Sequence, residues 1–158
     1  MDTLQQRVLE IVDAIIYINV ATCNEHKEPW NTPTYAVHDS QLNFFWRSWV
    51  HSQHSANIRT NPGVFISVYD STRKLGQNIQ RGVYIKATAV EINDNEEIAK
   101  VITYFTDKIH TVEEFSGSSV KRLYKAIPEK IWLNELSESQ VTNDTRNMRT
   151  DVPLFKAI

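Results

Sequence analysis

The sequence predicts a mainly β protein with added helices (α+β): a six-stranded antiparallel barrel with flanking helices near its N-terminus and C-terminus. Two observations carry this. Runs of β-branched and aromatic residues with period-two alternation recur along the chain, and the first three are joined by loops too short for a helical crossover. Glycine is scarce, with only Gly63, Gly76, Gly82 and Gly117. No glycine-rich phosphate loop of the dinucleotide-binding or P-loop type can be assembled from four such scattered residues.

Taken in order, Leu4, Val8, Ile11 and Ile15, with Leu9 and Val12 alongside, form the apolar face of a helix over 2–15 that Asp2 or Thr3 can cap. Ile16–Cys23 reads as the first strand. Trp30–Val37 is the second, bent at Pro33 because proline is confined to edges and bulges. After a turn at His38-Asp39-Ser40, Gln41–Trp46 is the third strand. A polar segment then leads into a short helix, Ser55–Arg59, which Asn61-Pro62-Gly63 terminates. Val64–Tyr69 is a fourth strand with Val64, Ile66 and Val68 on one face. Asp70–Arg81 reads as a polar loop, and Val83–Ile92 as a fifth strand. Asn93-Asp94-Asn95 caps a helix expected to run to about Ile109. A further short helix is expected from Ser116–Ser119 through Val120, Leu123 and Tyr124, and Pro128 opens a final strand, Lys130–Leu136. The expected organisation is one domain over 1–158, with its core at 16–136 and a polar tail at 137–158.

Composition excludes several classes of function. Net charge is −2 with signs mixed throughout, so no basic footprint for nucleic acid or anionic membrane is present. No apolar run approaches the roughly 18–20 residues of a membrane helix, and the N-terminus does not read as a secretory leader. Cys23 is the only cysteine, which removes a disulfide framework and fits a reducing compartment. The expectation is a soluble, cytoplasmic protein.

Chemistry concentrates between residues 44 and 69. Arg47, Ser48, Ser52, Gln53 and His54 lie between an aromatic strand and a short helix. A strand, polar turn and helix N-terminus can hold a phosphate with hydroxyls, backbone N–H groups and the positive end of the helix dipole. The same residues can equally be a helix cap and a solvated arginine. Phe44, Phe45, Trp46 and Trp49 can line a slot for a flat ring, or form core and interface. His51 and His54 stand three apart, a spacing compatible with metal ligation, but no third ligand follows at a matching offset. Cys23 lacks a basic helix terminus beside it and reads as an inert thiol.

The ordered series INVATCNEHKEPWNTPTYAV, LNFFWRS, SQHSANIRTNPGVFISVYDS and RGVYIKATAVEI, preceded by a helix, resembles the pyridoxamine 5′-phosphate oxidase-like family of FMN-binding split barrels. The resemblance covers roughly residues 4–93, and 127–136 more loosely. It implies a split barrel that binds FMN at a homodimer interface and works as a flavin-dependent oxidoreductase on a small substrate. It implies that Trp46, Arg47 and Ser48 at the strand end, with Ser52, Gln53 and His54 after it, surround the cofactor. Arg47 and His54 would hold the phosphate, Ser48 and Ser52 would donate hydrogen bonds, and Trp46 or Trp49 would flank the ring. Asn31, Thr32, Pro33 and Thr34 would lie along the isoalloxazine, and Arg81 would approach from a later strand. Gln53 and His54 replace the arginine and lysine usual in the family, so fixed positive charge is reduced. In the tail, Arg146 and Arg149 are the basic candidates for substrate binding, and true pyridoxine phosphate oxidase activity is not expected. Within the same fold, haem on His51 or His54, a deazaflavin, or a ligand-binding dimer without catalysis are the alternatives.

Overall fold

The computed structural model describes residues 3–70, 80–136 and 149–156. Seven strands form one sheet in the order β3-β2-β1-β4-β5-β6-β7, and β3 also pairs with β6. That last pairing closes six strands into an antiparallel barrel and leaves β7 as an extra strand outside the ring. The expected architecture is therefore present. The expected loop over 70–81 and tail over 137–158 fall mainly on residues outside those described, as do Asp2 and Arg146.

The first helix, α1 (Leu4–Ala14), starts at a capping box: Gln6 N donates to Thr3 Oγ1 and Thr3 N donates to Gln6 Oε1. Its Val8, Ile11 and Val12 are buried against the barrel core. Strand β1 (Tyr17–Cys23) pairs with β2 (Pro29–His38) over its full length. β3 joins β2 only from Ala36 to His38, so the segment carrying Pro33 has a single strand neighbour and its missing N–H is tolerated.

The third strand is displaced from its expected position. β3 runs Phe44–Trp49, whereas Gln41, Leu42 and Asn43 belong to a turn. The Asp39 carboxylate receives Gln41 N, Asn43 N and Asn43 Nδ2, and Leu42 takes a φ of 62° while its side chain is buried. The turn is thus held by one aspartate, which the local apolar pattern did not disclose. Helix α2 (Gln53–Thr60) is also longer than expected, because Ser52 caps it. β4 (Gly63–Tyr69) buries Val64, Ile66 and Val68 as expected. β5 (Gln80–Ile92) starts before Arg81, so that residue is in a strand rather than a loop.

Two corrections fall in the C-terminal half. Helix α3 spans only Asn95–Val101, continues as a 3-10 turn to Tyr104, and leaves Ile109 93% exposed. It ends where Phe105 turns down beside the Tyr35 ring. The helix expected around 116–124 is absent, since β6 runs without a break over Lys121–Leu136. Both faces of its first half are covered: Tyr124 and Ala126 face the barrel interior, and Leu123 faces a second core with Phe45, Ile92, Ile98, Val101, Phe105 and Phe115. Buried neighbours on both sides erase the period-two signal. Pro128 sits at an irregularity where Lys86 pairs with Lys130 but Ala87 pairs with Pro128. The skipped residue, Glu129, turns its carboxylate to Lys86 Nζ and Thr88 Oγ1. β7 (Arg149–Val152), within the expected polar tail, adds to β6.

Candidate functional site

Where β3 ends, Ser52 N donates to Trp49 O, and the chain enters α2 at the Ser52 cap. Ser52 Oγ lies 2.9 Å from Ser48 Oγ and 2.8 Å from Ser55 Oγ. A row of three hydroxyls therefore meets the start of a helix whose first N–H groups, including those of Gln53 and His54, have no intrahelical acceptor. Partial positive charge accumulates there without a fixed cation. Gln53 is exposed and donates to Asn57 Oδ1 at 2.8 Å. Asn57 in turn donates to Thr22 Oγ1, tying α2 to the β1–β2 ribbon.

His54 faces inward. Its imidazole is buried, stands edge-on to Tyr124 and lies 3.4 Å from Ser52 Oγ. Burial pushes its pKa below the ordinary value, so the ring is neutral at about pH 7. Tyr124, with its hydroxyl on Glu91 Oε2 at 3.2 Å, has its own pKa raised, chiefly by burial.

Arg47, two residues before the end of β3, is already engaged. Both terminal nitrogens donate to Asp107 Oδ2 at 3.0 Å, and Nη1 also contacts His110 Nε2. The guanidinium lies over the Phe105 ring at 4.7 Å and the Tyr35 ring at 5.4 Å. Desolvation, the largest single influence, raises the Asp107 pKa, but hydrogen bonding and charge from Arg47, with a backbone hydrogen bond, together outweigh it and hold the carboxyl below its usual range. His110 Nδ1 is 2.9 Å from Glu114 Oε2, a bond that leads the causes holding Glu114 down as well. Arg47, Ser48, Trp49, His110, Glu114 and Lys121 line a cleft of about 170 Å3 beside the turn.

The remaining sequence-predicted residues divide. Trp46 is wholly buried inside the barrel, so it presents no ring face to the turn, whereas Trp49 at the strand end is exposed. Asn31 and Pro33 are exposed, Thr32 and Thr34 half-buried, on the half of β2 that has left β3. Arg81 is at the far end of β5 from the turn: it pairs with Glu135, while Ile92 pairs with Leu123 opposite Arg47. Its guanidinium holds Glu10 and Glu135, bracing α1 on the barrel. Within one chain Arg81 is not part of this site. Asp107, His110 and Glu114, about 60 residues after Arg47, are the participants that sequence reasoning missed, because only folding brings their segment to β3. Among the described residues no group of three or more histidine, cysteine or acidic side chains could hold a metal ion. No helix among them is long and apolar enough to cross a membrane.

The sequence profile of the pyridoxamine 5′-phosphate oxidase family matches residues 4–135. No curated protein matches in sequence. Solved structures of the same fold include HutZ, the haem storage protein of Vibrio cholerae, at 18% identity and a TM-score of 0.65, covering 82% of this chain and 93% of that one. A haem-binding protein from Mycobacterium smegmatis superposes at 12% identity and a TM-score of 0.67, covering 80% of this chain and 52% of that one. General stress protein 26 from Bacillus anthracis follows at 15% identity and 0.61, with 84% and 97% covered.

Proposed function

This chain belongs to the pyridoxamine 5′-phosphate oxidase-like family, and from that premise we propose that it is a homodimeric FMN-binding protein, a flavin-dependent oxidoreductase on a small substrate. The proposal extends to one functional domain over 1–158, working in the cytoplasm. The observation that carries it is the Ser48–Ser52–Ser55 hydroxyl row at the capped start of α2. Ser48 and Ser52 offer an anion their hydroxyls, backed by the buried Ser55, the helix adds its positive end, and the turn itself carries no carboxylate. These residues fit a phosphate through neutral donors rather than through a pair of cations.

In this reading Ser48 and Ser52 hold the phosphate together with the N–H groups of Gln53 and His54. Trp49 stands at the rim to flank the ring, and Asn31, Thr32, Pro33 and Thr34 form the strand beside it. Neutral His54 supports the turn from below instead of neutralising charge. Arg81 contributes only if a second copy brings its strand to the site. The bound flavin supplies the hydride or electron chemistry, and the protein orients it and shields it from water. Flavin absorbance in the purified protein, or its appearance with stoichiometric binding of added FMN, is the test. A colourless protein that fails to bind FMN sinks the reading.

A second reading has its own observation. His51 is exposed on the same turn, and two structures of similar fold are haem proteins. Haem ligation by His51 would give a Soret band on titration that His51→Ala abolishes.

A further inference from the structure

We propose that His110 is a positioning residue that decides whether Arg47 is available to the β3–α2 site. Neutral His110 parks the guanidinium on Asp107, whereas a protonated His110 takes Asp107 for itself and releases Arg47 into the cleft. The inference rests on the reading of that turn as a phosphate site, but its first test does not.

The partners as they stand suit one tautomer of neutral His110. A carboxylate accepts and cannot donate, so His110 Nδ1, at 2.9 Å from Glu114 Oε2, carries the proton. A guanidinium donates and cannot accept, so His110 Nε2, in contact with Arg47 Nη1, is the bare lone pair. The histidine side chain is 1% exposed, wedged between the Phe105 and Phe115 rings, and has no room to turn away. A proton added at Nε2 sets donor against donor and charge against charge where water cannot screen them.

An alternative partner is close. Asp107 Oδ1 is 3.7 Å from Nε2, on a side chain 41% exposed and free to shift. The imidazolium then lies between Glu114 and Asp107 Oδ1, and its charge, set beside the guanidinium, drives Arg47 off the Oδ2 atom that now holds it. The charged groups around His110 are Arg47 from β3, Asp107 and Lys108 from its own segment, Glu114 from the next turn and, through Glu114, Lys121 from β6. Of the side-chain types present here, histidine is the one whose charge ordinarily changes between about pH 5 and 8. The freed guanidinium faces the cleft it shares with Ser48, whose hydroxyl is part of the proposed phosphate row.

The first test is NMR of the ligand-free protein from about pH 8 to about pH 5, following the Arg47 guanidinium, assigned with Arg47→Lys, and the His110 ring. Protected Arg47 signals should be lost as His110 titrates, and should persist in His110→Gln, which offers an acceptor and a donor but takes up no proton. Arg47 signals that ignore the titration of His110 overturn the proposal. FMN titrations give the second test. On lowering the pH, wild type should gain roughly tenfold in affinity relative to His110→Gln, the scale of one charge-assisted hydrogen bond, with protonation of the FMN phosphate cancelling in the ratio. Equal pH profiles overturn it. If His110→Gln fails to fold, Asp107→Asn should free Arg47 at every pH and flatten both profiles; a parked Arg47 in that variant counts against the mechanism. Release of Arg47 in a protein that binds no FMN upholds the switch and removes only the flavin reading.

Discussion

Trp46 stacks on Tyr124 inside the barrel, ring centroids 5.7 Å apart and planes inclined by 16°, while Trp49 on the same strand is 58% exposed. The two tryptophans therefore have different tasks. Trp46→Ala should cost about 3–5 kcal/mol of stability by opening a large cavity, and Trp46→Phe much less, since the indole N–H it deletes has no partner. Trp49→Ala should change stability by about 0.5 kcal/mol or less while lowering FMN affinity. Denaturant unfolding and flavin titration separate these effects.

Ser52 joins helix capping to the proposed phosphate contact, and two substitutions pull those roles apart. Ser52→Ala should cost about 0.5–2 kcal/mol in unfolding experiments and also weaken FMN. Ser52→Asp preserves the cap and complements the helix dipole, so stability should hold. The added negative charge should nevertheless abolish flavin binding.

His54 sets a pH dependence of stability whose sign follows from its depressed pKa. Above the ordinary histidine value both folded and unfolded forms are neutral there, and its contribution is fully present. As pH falls through 6.5 the unfolded chain takes up a proton that the buried ring refuses, so stability drops towards the lower folded value. His54→Gln should remove that part of the slope. Urea midpoints compared at about pH 7.5 and about pH 5.5 read the difference.

Gly117 adopts a φ of +56° and accepts Arg122 Nη2 on its carbonyl at 2.8 Å. A Cβ meets no atom there within 4 Å, so the penalty for Gly117→Ala is conformational alone. We expect a loss of about 1–2 kcal/mol, read by thermal unfolding.

Legibility differed from element to element. β4 and most of β5 were readable because one face of each is buried and alternation survives in the residue order. The start of β3 was not, since the Asp39 side chain holds Leu42 in a turn despite its apolar neighbours. The sequence of β6 reads as two elements, the first of them helical, because its first half is covered by the barrel interior on one side and by the α3 segment on the other. Within the site, a serine cap before a short helical run was recognisable, but not that Ser52 rather than Ser55 supplies it. The inward turn of His54 and the burial of Trp46 were not, as both depend on Tyr124 some 70 residues later.

By itself the sequence determined that this chain forms an antiparallel β barrel with helices, that its polar chemistry gathers between β3 and α2, and that it belongs among the pyridoxamine 5′-phosphate oxidase-like proteins. Local periodicity, capping residues and motif order encode those features directly. Tertiary structure alone decided which of the gathered residues are free. Arg47 is claimed by Asp107 and His110, His54 is kept neutral by burial, and Arg81 braces α1 at the other end of β5. Charge state and availability are set by neighbours brought together through folding, and spacing along the chain carries no record of them.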